Sequence, residues 1–156
     1  MIWENIEEIY SNKNKQIMNY EVKIKCNKTQ ENGKQKKVSE EYLVRNAELF
    51  GKAEEFIIKE MQASYEEFSV QSIKKSKYAE IDLSHGGDRY FSCKVVFITL
   101  DEKTNKESTS SELMLVCADN IGNAKTYLEE IMKDSLVDYK IDTIKETKLM
   151  DVYDVE

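Results

Sequence analysis

The chain has 156 residues, of which 40% are hydrophobic and 34% are charged, and its formal net charge is −7. This length suits one ordinary domain with a real core, and no apolar run approaches the roughly 18 residues that cross a bilayer, so we expect a globular protein with no membrane partner. The excess of acidic over basic residues argues against a protein whose whole surface is covered by nucleic acid.

The three cysteines predict a reducing compartment. Cys26, Cys93 and Cys117 are odd in number, widely spaced and set in apolar, strand-like contexts. We interpret them as reduced core thiols. No two Cys or His residues have the spacing of a ligand pair, so neither a metal nor another cofactor is expected.

Residues 1–17 form an N-terminal extension in which Ile2, Trp3 and Ile6 favour one side of a short amphipathic helix. Residues 18–156 are predicted to be a single domain. Its first part begins with a strand, because Tyr20, Val22 and following apolar residues alternate with charged ones.

The next elements follow from turn residues and spacing. A polar loop with Asn32-Gly33 leads to a returning strand at about residues 38–45. Apolar residues three and four apart, from Ala53 to Met61, then predict a helix with Asn46 as its N-cap. The uneven apolar step Val70-x-x-Ile73 predicts a β-bulge in the third strand, and Lys77–Ile81 reads as a short fourth strand.

The same pattern recurs about 71 residues later, as Phe91 against Tyr20 shows. We interpret residues 20–81 and 91–152 as two copies of one ββαβ(β) unit, joined by a connector at residues 82–90. The connector contains Gly86-Gly87, which allows a sharp turn. Asp119 is the predicted N-cap of the second helix.

The predicted fold class is therefore α+β, built by internal duplication. We expect a mostly antiparallel sheet of six to eight strands, with two helices on one face and a pseudo-twofold axis between the copies. The copies differ in charge: residues 20–81 carry a net +1 and residues 91–152 a net −4. An anionic partner would then contact only one half, or one edge.

Several blocks resemble the uncharacterised family called domain of unknown function 4494, found in Bacteroidetes, their mobile elements and their phages. The similarity runs from Met18 to about Tyr153, and Tyr90 stands where many members have Trp. The family brings no activity or catalytic residues. It implies a bacterial cytoplasm and a phage or mobile-element setting, among replication and recombination genes. The blocks are Tyr20-Glu-Val-Lys-Ile, Gln35-Lys-Lys-Val-Ser-Glu, Tyr42-Leu-Val44, Ile73–Ile81, Gly86-Gly-Asp-Arg-Tyr90 and Val96–Lys103.

Single-stranded DNA binding is the leading functional hypothesis, because lysines can contact phosphates while aromatic rings stack on bases. Lys23 and Lys94 occupy equivalent outward positions in the two copies. The alternative reading is that outward lysines keep sheet edges soluble and that the tyrosines belong to the core. The predicted nucleic-acid-binding residues are Lys23, Lys94, Lys34, Lys36, Lys37, Lys74, Lys75, Lys77 and Tyr78.

Two other classes of function compete with it. The acidic second copy suits a protein-interaction module, for instance a phage factor that inhibits a host defence or replication protein. Exposed sheet edges would also suit a homodimer. An enzyme is the weakest hypothesis, since the only tight polar cluster is Asp82, His85, Asp88 and Arg89 in the connector, and no nucleophile or phosphate-loop motif accompanies it. We therefore predict a protein that is not an enzyme.

Overall fold

The computed structural model of the protein describes residues 18–155, so the predicted N-terminal helix lies outside the described residues. The described part is α+β, as predicted, with eight strands and two helices. In chain order the elements are β1 (Met18–Thr29), β2 (Gln35–Ala47), α1 (Phe50–Ser64), β3 (Phe68–Lys75), β4 (Tyr78–Asp82), β5 (Arg89–Leu100), β6 (Glu107–Ala118), α2 (Ile121–Met132), β7 (Asp138–Glu146) and β8 (Leu149–Asp154). Neither helix is long and apolar enough to cross a membrane.

The strands form two sheets where a single sheet was expected. One sheet has the order β3-β1-β2-β8 and the other has the order β4-β6-β5-β7. Accordingly the chain divides into two compact units. Among the described residues, unit 1 contains 18–76 together with 149–155, and unit 2 contains 77–148.

Each sheet is mixed and follows the same pairing scheme. In unit 1, β1 is antiparallel to β2 and β3, and β8 lies parallel to β2. In unit 2, β5 is antiparallel to β6 and β7, and β4 lies parallel to β6. The fourth strand of each predicted repeat therefore belongs to the sheet of the other unit. The predicted repeat boundaries consequently differ from those of the compact units.

The predicted β-bulge is confirmed in both sheets. In unit 1, Lys23 is opposite Ser72 but Ile24 is opposite Val70, which leaves Gln71 as the extra residue. In unit 2 the register shifts in the same way and leaves Asp142 as the extra residue. An inserted residue bends its strand, so both third strands bend at the same position.

Each helix covers one face of its sheet because its apolar residues recur every four positions. Ala53, Ile57 and Met61 of α1 are buried against apolar residues of β1 and β2. In unit 2, α2 buries residues at the equivalent spacing, namely Ala124, Leu128 and Met132. The strand side of each core comes from alternating residues such as Val22 and Val95.

The cysteines are buried and free of disulfides, as expected for core thiols. Burial raises the pKa of Cys93 to about 11. It also raises the pKa of Cys26, and the nearby Glu40 carboxylate adds to that shift. Because a thiol with a raised pKa stays protonated at neutral pH, Cys26 and Cys93 are poor nucleophiles.

The predicted helix caps are wrong. The N-cap of α1 is Leu49, which offers no side-chain hydrogen bond, while Asn46 adopts a positive φ of 63° before it. The N-cap of α2 is Asn120, whose side chain accepts a hydrogen bond of 2.8 Å from the backbone N–H of Asn123. Asp119 instead accepts a hydrogen bond from the backbone of Asp88 in the connector.

Candidate nucleic-acid interface

Positive charge is concentrated on the hairpin that β1 and β2 form in unit 1. Residues 22–39, which we call the basic hairpin, contain six lysines and one glutamate, a net charge of +5. Strand alternation places Lys23, Lys25 and Lys37 on the face opposite α1. The six are Lys23, Lys25, Lys28, Lys34, Lys36 and Lys37.

The corresponding hairpin of unit 2 has the same strand pairing without the charge. Residues 93–110 contain three lysines and three acidic residues, a net charge of zero. Val96 occupies the position of Lys25, and Thr109 occupies that of Lys37. Folding of this hairpin therefore does not require the lysines, which makes a binding role more attractive for those in unit 1.

A cleft of about 230 Å³, the basic cleft, lies beside two of these lysines. Lys25 and Lys37 line it from β1 and β2, and Phe68 lines it from the start of β3. The Phe68 ring is half-buried and packs against the core of unit 1, so only its exposed part can meet a base, while the lysines can contact a phosphate. The full lining is Lys25, Cys26, Asn27, Lys37, Glu67, Phe68 and Ser69.

A second cleft of about 230 Å³, the polar cleft, adjoins the first. The two clefts share Asn27 and Glu67, and the amide of Asn27 donates a hydrogen bond of 3.0 Å to the Glu67 carboxylate. No lysine lines the polar cleft. Its lining consists of hydrogen-bonding side chains: Asn27, Thr29, Gln35, Ser64, Tyr65, Glu66 and Glu67.

A buried carboxylate fixes the residues behind the polar cleft. Glu40 is only 4% exposed, and its carboxylate accepts hydrogen bonds from the hydroxyls of Tyr42, at 2.5 Å, and Tyr65, at 2.8 Å. Lys28 completes the cluster with its Nζ 2.7 Å from Glu40 Oε1. Lys28 is therefore largely neutralised, while Tyr65 is held where its side chain lines the cleft.

The pKa shifts in this cluster agree with its geometry. Burial alone would raise the pKa of Glu40, but hydrogen bonds from Lys28, Tyr42 and Tyr65 lower it below its usual value. The hydrogen bond to Glu40 raises the pKa of Lys28. Burial, followed by the hydrogen bond to Glu40, raises the pKa of both tyrosines. Glu40 is thus a carboxylate and the tyrosines are neutral donors at neutral pH.

Sequence reasoning did not identify Glu40, although a signal was present. Glu40 lies two residues from Val38 and from Tyr42, on the strand face that carries core residues. A charged residue at such a position needs a partner when it is buried. Its partners Lys28 and Tyr65 come from β1 and from the end of α1, which are distant in the sequence. No local sequence pattern therefore predicts that they contact Glu40.

The structure brings four of the nine predicted binding residues together in the basic hairpin. They are Lys23, Lys34, Lys36 and Lys37, and Lys25 and Lys28 join them there. Lys74 and Lys75 lie opposite Glu21 and Tyr20, towards the other end of β1. They are therefore separate from the clefts.

The remaining three predicted residues belong to unit 2. Tyr78 is only 9% exposed, so the prediction that its ring is available for base stacking needs correction. Lys77 places its Nζ 5.7 Å from the centre of that ring. Lys94 lies 3.7 Å from the carboxylate of Asp142, the bulge residue, and is partly neutralised by it.

The polar residues of the connector hold this segment against unit 2. His85 stacks on the ring of Tyr127 at a centroid distance of 3.9 Å, and its Nε2 lies 3.1 Å from Glu130 Oε2. Arg89 lies 3.6 Å from Glu146, and Asp82 accepts hydrogen bonds from Ser84. Within residues 18–155, no three His, Cys, Asp or Glu residues cluster as metal ligands would.

Comparison with known proteins identifies one family. A family model described as a domain of unknown function (DUF4494) matches residues 18–155. No curated protein and no solved structure matches the chain. The matched range contains both units and both clefts.

Proposed function

Because the chain belongs to the domain of unknown function 4494 family, whose description carries no activity, we propose from charge and geometry that it binds single-stranded DNA through the basic hairpin. The observation that carries this proposal is the net charge of +5 on residues 22–39, or +4 once the pairing of Lys28 with Glu40 is counted, in a chain whose overall charge is −7. Such a local reversal concentrates anion attraction at one place. The protein acts without catalysis, in the replication or recombination of a phage or mobile element.

The geometry favours a single strand over a duplex. Lys25 and Lys37 flank a cleft with Phe68 in its wall, and only an unpaired nucleotide can place a base on such a ring. A duplex keeps its bases stacked and would meet the lysines alone. Single-strand binding therefore uses both the charge and the cleft.

Charge reversal in the basic cleft tests the proposal. We expect the double variant Lys25→Glu/Lys37→Glu to weaken binding of a labelled oligonucleotide more than tenfold at low salt, because two phosphate contacts become repulsive. The slope of log Kd against log salt concentration should also fall by about 1.4. Each lost phosphate contact removes roughly 0.7 from this slope for a single strand. Fluorescence anisotropy across a salt series measures both quantities.

The control is the double variant Lys103→Glu/Lys106→Glu, which makes the same charge change in the equivalent hairpin of unit 2. It should bind almost as the unmodified protein does. An equal loss in both variants would mean that only overall charge matters. Absence of binding by the unmodified protein even at low salt would refute the proposal.

A protein-interaction module is the second candidate, and one surface of unit 2 favours it. Leu100 is 58% exposed, Leu136 is fully exposed and Val137 is 40% exposed. Acidic residues stand next to them in the chain, among them Asp101 and Asp138. An apolar patch with acidic neighbours suits a protein partner whose contact surface is apolar with a basic rim.

A variant of that patch separates the two candidates. Leu100→Ser/Leu136→Ser should abolish capture of a host or phage protein while leaving DNA binding intact. The double variant Lys25→Glu/Lys37→Glu should lose DNA binding and keep capture of the protein partner. Light scattering on the same samples tests the predicted homodimer.

A further inference from the structure

The polar cleft has a chemistry that the basic hairpin does not explain. Glu66 and Glu67 both line it, and no lysine does. Two carboxylates repel a phosphate, so this cleft does not suit the backbone of a nucleic acid. The group that suits it is uncharged and rich in hydrogen-bond donors.

The neighbouring basic cleft supplies the connection to such a group. The clefts share the wall formed by Asn27 and Glu67. When one nucleotide occupies the basic cleft at Lys25, Lys37 and Phe68, the base of the next nucleotide in the strand can therefore cross this wall. We infer that the polar cleft receives a base that carries an exocyclic amino group, and that it prefers cytosine to thymine; this inference rests on the single-stranded DNA binding proposed above.

The preference follows from the acceptors that the cleft presents. A carboxylate accepts a hydrogen bond from the N4 amino group of cytosine, whereas thymine presents the O4 carbonyl at the same position and would be repelled. Asn27 Nδ2 donates a hydrogen bond of 3.0 Å to Glu67 Oε2. This bond limits the conformational freedom of the carboxylate before a base binds. Thr29 and Gln35 supply additional polar groups on the β1 and β2 sides.

Unit 2 keeps only part of this chemistry, because Glu107, Ser135 and Asp138 correspond to Gln35, Ser64 and Glu67 while Val137 replaces Glu66. Ile98 replaces Asn27, Leu100 replaces Thr29 and Leu136 replaces Tyr65, although the two hairpins pair in the same register. The fold therefore tolerates apolar residues at these places. Tyr65 serves the Glu40 cluster, but Asn27 and Thr29 require an explanation other than folding, and base recognition provides one.

Oligonucleotides of a single base type test the inference without changing the electrostatic contribution. We would measure binding of oligo-dC and oligo-dT of equal length at neutral pH and fixed salt. The two carry the same phosphate charge, so a difference reports on the bases. We expect oligo-dC to bind about five to ten times more tightly, the effect of one good base contact.

The double variant Glu66→Gln/Glu67→Gln should bring the two affinities within about twofold, because an amide can donate to thymine as well as accept from cytosine. The control variant Lys103→Glu/Lys106→Glu should still bind oligo-dC more tightly than oligo-dT. Equal binding of both oligonucleotides by the unmodified protein, with the salt dependence intact, would overturn the base preference and leave the proposed function standing. No binding of either oligonucleotide at low salt would overturn both.

Discussion

Glu40 shows how one buried charge organises the end of unit 1. Taking a carboxylate out of water is costly unless strong hydrogen bonds replace its hydration. Here Lys28, Tyr42 and Tyr65 supply them, and the lowered pKa of Glu40 shows that they more than offset its burial. The cluster exists only in unit 1, since exposed Glu112 stands at the position equivalent to Glu40.

Replacing this carboxylate should destabilise the protein. We expect Glu40→Gln to lower the free energy of unfolding at pH 7 by about 2 kcal/mol, because three donors lose a charged acceptor. Chemical denaturation followed by circular dichroism measures the change. Glu112→Gln is the matched control and should change stability by less than about 0.5 kcal/mol, as exposed substitutions usually do.

The pH dependence of that difference identifies its cause. The pKa of Glu40 is lowered in the folded protein, so its charged form stabilises the fold above the ordinary carboxyl value of 4.5 and this contribution is lost as the pH falls through the lowered pKa. The stability gap between the unmodified protein and Glu40→Gln should therefore shrink below about pH 4.5. A gap that stays constant down to pH 3 would assign the effect to packing.

At the scale of elements, periodicity predicted most of the local structure. Alternation identified the long strands, spacings of three and four identified both helices, and the step Val70-x-x-Ile73 identified the bulge. The caps were missed because α1 starts at Phe50, four residues after Asn46, and because Asn120, which follows Asp119, is an equally suitable cap for α2. The clefts were missed because Asn27, Gln35 and Tyr65 come from three elements that only the fold brings together.

The connector turn depends on one of its two glycines more than on the other. Gly87 has a φ of 151°, and a Cβ there would lie 2.5 Å from the backbone carbon of Ala118. Its carbonyl also accepts a hydrogen bond of 3.3 Å from the Cys117 thiol. Gly86 has a φ of 71°, but a Cβ there would meet open space.

We therefore expect the two alanine variants to differ. Gly87→Ala should lower the free energy of unfolding by about 2 to 4 kcal/mol, since it combines an unfavourable backbone conformation with a clash against fixed backbone. Gly86→Ala should lower the free energy of unfolding by about 1 kcal/mol, because only the unfavourable backbone conformation contributes there. Urea denaturation of both variants provides the comparison, and equal losses would show that the close approach to Ala118 relaxes without penalty.

At the scale of the whole molecule, the decisive feature is the exchange of fourth strands. β4 follows β3 in the chain but pairs with β6 in unit 2, and β8 follows β7 but pairs with β2 in unit 1. The sequence predicted these strands without their partners. Pairing between strands distant in the chain leaves no local pattern, because the same apolar alternation suits either sheet edge.

Exchange of strands predicts that the two halves of the chain complete each other. Residues 1–84 would contribute β4 to the sheet of unit 2, and residues 85–156 would contribute β8 to the sheet of unit 1. Co-expressed as separate fragments with a tag on one, they should copurify, because each otherwise leaves the long strand β2 or β6 with an unpaired edge. Size-exclusion chromatography of the tagged sample should then show one complex with the mass of the intact chain.

Shortened fragments test whether the exchanged strands cause this association. Fragments 1–76 and 85–148 lack β4 and β8 but keep the three-stranded antiparallel part of each sheet. They should no longer copurify. Removal of only one exchanged strand should weaken the complex to an intermediate degree, since one parallel pairing then remains. Copurification of the shortened fragments at full strength would show that the halves associate through surfaces other than the exchanged strands.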